Sequence, residues 1–171
     1  MPISMASASL PIFRTTLGNL SHLLDKGLAH AEARKFEPAV LISYRLAPDM
    51  LPFAKQIQIA CDSVKNGVAR ISGVEAPKFE DNEQTFEELK ARIAKTLAWL
   101  ETVPSAKLDG TEDKDITFPV GRDATRTMKG EAYLKHWVLP NMFFHVGMAY
   151  AILRHNGVEL GKADYLAGAS R

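Results

Sequence analysis

The sequence contains a single cysteine, Cys61, among its 171 residues. One thiol cannot build a disulfide framework within the chain, which excludes the small disulfide-stabilised secreted classes and fits a reducing compartment. The N-terminal stretch MPISMASASLPIF lacks the basic start and continuous apolar block of a signal peptide, and no later stretch approaches the length of a membrane span. We therefore expect a cytoplasmic protein with no membrane partner.

The sequence also lacks an excess of charge of either sign. It has 21 basic and 20 acidic residues and no run of Lys or Arg, so we expect no nucleic-acid partner. Five familiar signatures are missing: the GxGxxG dinucleotide motif, the phosphate loop, CxxC, HExxH and the nucleophile elbow. The length and the 46% apolar content suit a single domain over residues 1–171.

Apolar residues recur at helical spacing in four segments. The first helix is predicted over Ser4–Ala33, with a kink or a late start at Pro11. The second is predicted to begin with Asp49 as its cap and Pro52 in its first turn, and to end before Gly73. The third is predicted to begin at a capping box formed by Thr85 and Glu88 and to end before Pro104. The last is predicted over Gly130–Asn156, with Gly157 as its stop.

The segment from Lys107 to Gly130 differs from the others in pattern. Two short β-rich pieces, DITFPVG and ATRTM, lie around GRD, which is typical of a hairpin or of an extended excursion between helices. Four long amphipathic helices with one such insertion predict an all-α fold: a four-helix bundle with a short irregular or hairpin insertion before the last helix.

The last predicted helix carries a polar pair on its apolar face. His145 falls in the apolar stripe of this helix, and Asn141 precedes it by one turn, the spacing of paired ligands on one face. A buried imidazole needs hydrogen-bond partners, which a metal, a carboxylate, an amide or a water can supply. Pro140 is expected to kink this helix, and such a bend often accompanies a cavity.

The second helix offers partners for His145. Gln56 and Gln58 lie on either side of Ile57 near the start of this helix, and either amide can face a cleft shared with His145 or face solvent. Asp62 can add a carboxylate there or lie on the solvated face. His22, outside the apolar stripe of the first helix, is expected to be solvated.

The stretch FFHVGMAYAILRHNGVELG resembles the fourth helix of the DinB/YfiT-like superfamily of four-helix bundles, with His145, Gly147, Arg154 and Gly157 at the matching positions. Three longer stretches, RLAPDMLPFAKQIQIACD, FEDNEQTFEELKARIAKTLAWL and LPNMFFHVGMAYAILRHNGVELGK, are similar to an uncharacterised bacterial family of domains of unknown function within that superfamily. The resemblance covers nearly the whole chain and implies the bundle fold.

In metal-binding members of the superfamily, one histidine from the second helix and an HxxxH pair from the fourth hold the metal. The resemblance places His145 at the second histidine of that pair, Asn141 at the first, and Gln56 or Gln58 in the second helix. It implies metal-assisted hydrolysis or thiol transfer, with a divalent metal bound through His145. Because neutral amides are poor substitutes for imidazoles, the set of ligands is incomplete.

Three functions follow as alternatives. In an enzyme, His145 acts as metal ligand or base and Asn141 positions the substrate. In a non-catalytic binder, Trp137 and Tyr150 surround a small molecule beside these polar groups. In an interaction protein, the surplus apolar residues of the last helix, including Phe143 and Phe144, form a homodimer interface.

Overall fold

The computed structural model describes residues 3–168. Its helices are α1 (Leu10–Arg34), α2 (Ala39–Ser43), α3 (Phe53–Ser72), α4 (Phe86–Glu101), α5 (Gly130–Tyr133), α6 (Leu139–His155) and α7 (Lys162–Ala167), with a 3₁₀ turn at Ser105–Lys107 and a π-helical turn at Leu134–Val138. Strands β1 (Asp115–Val120) and β2 (Ala124–Lys129) precede α5. The fold is thus mainly helical rather than purely all-α, and its small sheet is the hairpin that was one of the two predicted forms of the insertion. No helix within residues 3–168 combines the length and apolar character needed to cross a membrane.

The four long helices pack side by side around one core. Helix α3 lies against α6 and α4, and α1 lies against α4, α6 and α7. The apolar stripes found in the sequence face this core. In α3 every residue of the stripe is fully buried: Phe53, Ile57, Ala60, Val64, Val68 and Ile71. The spacing of apolar residues therefore identified the inward face of each long helix.

Several helix ends follow local rules of capping, but α3 begins directly after Pro52, so the prediction of Asp49 as its cap was wrong. Helix α1 begins at Leu10, the late start expected from Pro11. Helix α3 ends at Gly73, whose positive φ of 75° suits a residue without a side chain. At α4 the capping box is present, because Thr85 Oγ1 accepts a hydrogen bond from Glu88 N at 3.1 Å and Glu88 Oε2 accepts one from Thr85 N at 3.0 Å.

The predicted hairpin insertion is present. Strands β1 and β2 pair antiparallel from Asp115 opposite Lys129 to Val120 opposite Ala124. Phe118 on β1 is buried, and its ring lies 4.9 Å from that of Trp137. Directly after β2, Gly130 passes so close to Thr111 that a Cβ there would lie 2.0 Å from the Thr111 carbonyl oxygen. The hairpin is thus packed onto the beginning of the last helical region, residues 130–155.

That last helical region is not one continuous α-helix, as the sequence prediction had it. A π-helical turn over Leu134–Val138 separates α5 from α6. Pro140 has no N–H to donate to the carbonyl of His136, so regular α-helical bonding cannot continue through this position. Pro140 was predicted to kink the helix, and what the structure shows next to it is a wider, π-helical turn, a feature that is frequent at functional sites.

Helix α7 packs against α1 through a buried carboxylate. Asp164 accepts hydrogen bonds from the backbone N of Gly161 at 2.8 Å, from His22 Nε2 at 3.1 Å and from Lys26 Nζ at 3.2 Å. These bonds, that from Gly161 first, hold the pKa of Asp164 well below its usual range. The expectation that His22 is solvated was therefore wrong, since its ring contacts α7.

Arg92 of α4 fixes the linker between α3 and α4. Its side chain is only 2% exposed, and its guanidinium contacts three carboxylates: Asp62 of α3 at 3.0 Å, and Asp81 and Glu83 of the linker at 3.0 and 2.9 Å. No pattern in the sequence indicated this role of Arg92. Asp62 was expected on a solvated face or in a cleft shared with His145, whereas it is bound by Arg92 and, at 3.1 Å, by Lys65.

Helices α3 and α6 are brought together by a small residue on α3. A Cβ on Gly67 would lie 2.6 and 2.8 Å from the two methyl carbons of Val138. Val138 is 1% exposed and β-branched, so it cannot turn aside easily. The absence of a side chain at Gly67 therefore permits the close packing of α3 against the π-helical turn at Val138.

Replacing Arg92 with Met should lower the free energy of unfolding by about 3 kcal/mol, because carboxylates at the edge of the core lose their counter-charge. Urea unfolding followed by circular dichroism measures the change. Arg122→Met, in the exposed turn of the hairpin, is the matched control and should alter stability by about 0.5 kcal/mol or less. Equal stability of the two variants would contradict the role assigned to Arg92.

Gly67→Ala should destabilise the protein by about 1–2 kcal/mol, since overpacking against Val138 outweighs the better helix propensity of Ala. The same substitution in a Val138→Ala background should be neutral or stabilising. Urea unfolding of all four proteins gives the coupling energy of this pair. Additive effects would show that the contact does not limit the approach of the helices.

Candidate functional site

His145 lies on the inner face of α6 and is 8% exposed. Its Nδ1 is 2.8 Å from Oε1 of Gln56, which is 1% exposed and lies in the first turns of α3. The amide nitrogen of Gln56 donates to the Leu51 carbonyl at 2.9 Å, so its oxygen faces the imidazole. The amide oxygen can only accept, and therefore His145 Nδ1 carries the hydrogen and donates it.

This bond fixes the state of the imidazole. Burial lowers the pKa of His145 below its ordinary value of 6.5, so the ring is neutral at pH 7. With the hydrogen on Nδ1, Nε2 carries the lone pair. Nε2 makes no hydrogen bond within residues 3–168 and does not belong to the fully buried polar atoms without a partner there. It is therefore an open acceptor of a hydrogen bond.

Asn141 occupies the same face of α6 one turn earlier. Its Nδ2 donates to the carbonyl of Trp137 at 3.1 Å, across the junction between the π-helical turn and α6. Its Oδ1 has no protein partner in the described part of the chain. Asn141 and His145 thus each present an unused acceptor on one helix face.

A cleft of about 200 Å³ separates α3 from the last helical region. Its apolar walls are Ile59, Trp137 and Val138, and its polar lining is Asp62, Ser63, Asn66, Arg70, Tyr133 and Asn141. We call it the polar cleft. Asn141 lies at one end, so the cleft begins one helical turn from His145 and runs toward the hairpin.

The charges at the two ends of the polar cleft differ. Asp62 is already neutralised by Arg92 and Lys65. At the other end Arg70 Nη1 donates to the Tyr133 hydroxyl at 2.9 Å, and among the residues described no carboxylate lies within ion-pair distance of Arg70. Within residues 3–168, the cleft therefore presents a cation, Arg70, without a counter-ion.

The predicted site residues are only partly brought together. Gln56 contacts His145, and Asn141 and Trp137 line the polar cleft. Gln58 points elsewhere, with its Nε2 2.8 Å from Glu83 Oε2 and its Oε1 buried without a partner. Tyr150 also lies apart, where its hydroxyl donates to the Leu160 carbonyl at 3.4 Å.

Other cleft residues were missed by sequence reasoning. Ile59, Ser63, Asn66 and Arg70 follow one another at intervals of four, three and four residues, which makes a second stripe on α3 beside the buried one. Three of these four residues are polar, and a polar stripe on an amphipathic helix ordinarily faces solvent. The stripe was visible in the sequence, but nothing in the sequence distinguished it from a solvated face.

A second cavity, of about 460 Å³, lies beside the linker between α3 and α4. Phe79, Arg92 and Lys95 contribute to its lining. The guanidinium of Arg92 in this lining is already paired with three carboxylates, so it has a counter-charge, unlike Arg70 among the residues described. We therefore regard the smaller polar cleft as the better candidate for a binding site.

The donor atoms near His145 do not match the three-histidine site of metal-binding relatives. Within residues 3–168 no three side chains of His, Cys, Asp or Glu are grouped so that they could hold a metal ion. Nε2 of His145 is one strong donor, but Gln56 Oε1 is engaged by the same imidazole and Asn141 offers only a neutral amide. Tight binding of a divalent transition metal needs more than this set provides.

Comparison with known proteins agrees with this architecture. Residues 5–166 match the family model described as a domain of unknown function, DUF1993. The chain is 40% identical to a DinB family member protein from Shewanella denitrificans, whose crystal structure superposes with a TM-score of 0.86; the match covers 94% of this chain and 90% of that one. No curated protein matches significantly. The chain therefore belongs to the DUF1993 family of domains of unknown function and has a DinB-like fold.

Proposed function

We propose that this protein binds a small polar molecule in the polar cleft without the help of a metal ion. One observation carries the proposal: the cleft holds polar groups whose hydrogen-bonding capacity is unused. Among residues 3–168, Arg70 has no counter-ion, the Tyr133 hydroxyl accepts from Arg70 but has no acceptor for its own hydrogen, and Asn141 Oδ1 has no donor. Polar groups in a partly enclosed site are ordinarily satisfied, by protein, water or ligand.

The size of the cleft limits the ligand. Its volume of about 200 Å³ corresponds to roughly seven water molecules at about 30 Å³ each. Drug-sized ligands occupy sites of about 300 Å³ or more. The expected ligand is therefore a small metabolite with few non-hydrogen atoms.

His145 and Gln56 support this cleft from one end. Their hydrogen bond joins the start of α3 to the middle of α6, and the neutral imidazole leaves Nε2 as an acceptor. If the protein is an enzyme, His145 Nε2 is the available base and Asn141 the positioning group, and a reacting group must come within hydrogen-bonding distance of Nε2.

Metal-assisted hydrolysis and thiol transfer, which the superfamily resemblance implies, have less support. The donor set around His145 is incomplete for a metal. Burial raises the pKa of the Cys61 thiol to about 12, so Cys61 is not a nucleophile at neutral pH. A buried, unreactive thiol is also compatible with the cytoplasmic location that we infer.

Binding should be detectable by two-dimensional NMR of labelled protein in the presence of EDTA. Pools of small hydroxy acids, amino acids, polyols and amides are added, and saturable shifts are expected at the Trp137 indole N–H and the Asn141 side-chain amide, because both residues line the cleft. Ser63→Leu, which narrows the cleft, should abolish the shifts. Ala94→Leu on the exposed face of α4 adds the same bulk elsewhere and should preserve them. Shifts unaffected by Ser63→Leu, or none in any pool, would refute the proposal.

The neutral state of His145 gives stability a specific dependence on pH. Since the folded-state pKa lies below 6.5, the unfolded chain takes up the proton first as the pH falls, and the folded state loses stability below about pH 6.5. Wild type should therefore lose stability relative to His145→Gln between about pH 7 and pH 5. The measurement is urea unfolding of both proteins at a series of pH values. The other histidines are present in both proteins, so their pH-dependent contributions to the free energy of unfolding cancel when the two proteins are compared. A difference that does not change with pH would show that burial does not disfavour the protonated ring.

A second candidate function is supported by exposed aromatic residues on α6. Phe143 and Phe144 are 40% and 53% exposed, on the side of α6 away from the core. Phe143 borders a mainly apolar groove of about 300 Å³ that Ile12 of α1 and Leu166 of α7 also line. Such a face is typical of a subunit interface, and we infer a homodimer through it.

Phe144→Ser should shift the protein toward monomer, because it removes apolar area from the inferred interface. Sedimentation velocity over a wide range of protein concentration measures the change. Val40→Ser is a matched control, since Val40 is also 53% exposed but lies on α2. A wild-type protein that is monomeric at every concentration would refute the dimer.

A further inference from the structure

Arg70 differs from the other arginines that are held at the bundle. Arg92 is surrounded by three carboxylates, and Arg14 is paired with Glu101. Arg70 is half-buried at the wall of the polar cleft, and its only hydrogen bond from the side chain in the described structure is to the Tyr133 hydroxyl. The guanidinium has five N–H donors, so most of its donors are unused.

The Tyr133 hydroxyl adds another donor at the same place. Its oxygen accepts from Arg70 Nη1 at 2.9 Å, which leaves its own hydrogen to be donated. Tyr133 is 1% exposed, and its ring is held 4.6 Å from that of Phe118, so the position of the hydroxyl is fixed. This end of the cleft therefore presents a rigid set of donors without a matching acceptor.

The surrounding charges reinforce the positive character of this end. Lys114 Nζ donates to the carbonyls of Arg70 and Ile71 at 3.2 and 2.9 Å, at the C-terminal end of α3. From the hairpin, the guanidinium of Arg126 lies 5.9 Å from the centre of the Trp137 ring. Two acidic residues of the neighbouring elements, Asp115 and Glu131, are paired with Lys129 and Lys135. Neither Lys114 nor Arg126 has a carboxylate partner among the described residues, and such cations attract anions.

We propose that the polar cleft binds a small carboxylate, anchored by Arg70 and the Tyr133 hydroxyl, with its apolar part against Trp137. This inference rests on the proposed binding function and names its ligand class. A carboxylate matches the planar fork of a guanidinium and accepts from a hydroxyl as well. The small volume of the cleft suits a carboxylate with few other non-hydrogen atoms.

The chain provides a direct probe, because it has only two tryptophans, Trp99 and Trp137. In a Trp99→Phe variant the intrinsic fluorescence reports on Trp137 alone. This protein is titrated with matched pairs of carboxylate and neutral amide: lactate and lactamide, butyrate and butyramide. Inorganic phosphate is included as a different anion. At least one carboxylate should give a saturable change, with an affinity about tenfold or more above that of its amide.

Variants in the same background separate the anchor from the fold. Arg70→Gln should weaken carboxylate binding about tenfold or more, and Tyr133→Phe, which keeps the ring, should weaken it less. Arg70→Lys should retain part of the affinity, since it keeps the charge but loses the fork. Arg122→Gln, in the exposed hairpin turn, should bind as the parent does. A thermal melt of each variant checks that it is folded.

The outcomes distinguish the two proposals. Carboxylate and amide binding with equal affinity, unaffected by Arg70→Gln, would overturn the carboxylate anchor and leave the small-molecule function standing. Phosphate binding that depends on Arg70 and exceeds that of every carboxylate would overturn the assignment in favour of a phosphate ligand. No saturable change with any of these compounds would overturn the anchor, and the broader function would then be decided by the NMR pools.

Discussion

The antiparallel pairing of α3 with the last helical region is the contact on which the candidate site depends. It is held at three levels. Gln56 bonds to His145 at one end, Gly67 lies under Val138 in the middle, and Arg70 bonds to Tyr133 at the other end. The middle contact brings the helices close, and the two polar contacts fix the register between them. The polar cleft lies between these contacts, so its shape follows from the pairing.

The π-helical turn explains why the close contact and the cleft lie side by side. Pro140 prevents regular bonding to the carbonyl of His136, and the chain widens over Leu134–Val138. Val138 then covers Gly67, while Trp137 and Asn141 form part of the cleft wall. Ser63 and Asn66 on the facing side of α3 are short. Two well-packed helices with longer side chains at these positions would leave no space.

Much of this fold was predictable, because the spacing of apolar residues and the capping residues at helix ends identify helices in a sequence. The stripe of α3, the capping box of Thr85, the hairpin and the inward position of His145 all came from local pattern. Contacts between residues that are distant in the sequence could not be predicted from local pattern. Gln56 and Gln58 both flank Ile57, and only the structure shows which one contacts His145. Arg70 belongs to a polar stripe on α3, and such a stripe ordinarily faces solvent. In the structure this stripe faces the last helical region and lines the polar cleft.

The environment of His145 has one feature of a metal-binding histidine, a fixed ring orientation. A histidine that binds a metal through one ring nitrogen usually donates the N–H of its other nitrogen to a carbonyl or carboxylate. This bond orients the ring and directs the lone pair of the first nitrogen at the metal. Gln56 does this for His145, so Nε2 has the orientation of a ligand. The other metal ligands are missing among the described residues, since Asn141 occupies the position where the resemblance implies a second histidine. A single oriented imidazole is a weak metal site, but it is a good acceptor for a hydroxyl or an amine.

At the far end of the cleft Arg70 supplies donors, so the two ends have opposite hydrogen-bonding character. Asn141 lines the cleft whereas His145 lies one turn beyond it, so a hydroxyl or amino group on a small carboxylate bound at Arg70 would point toward Asn141.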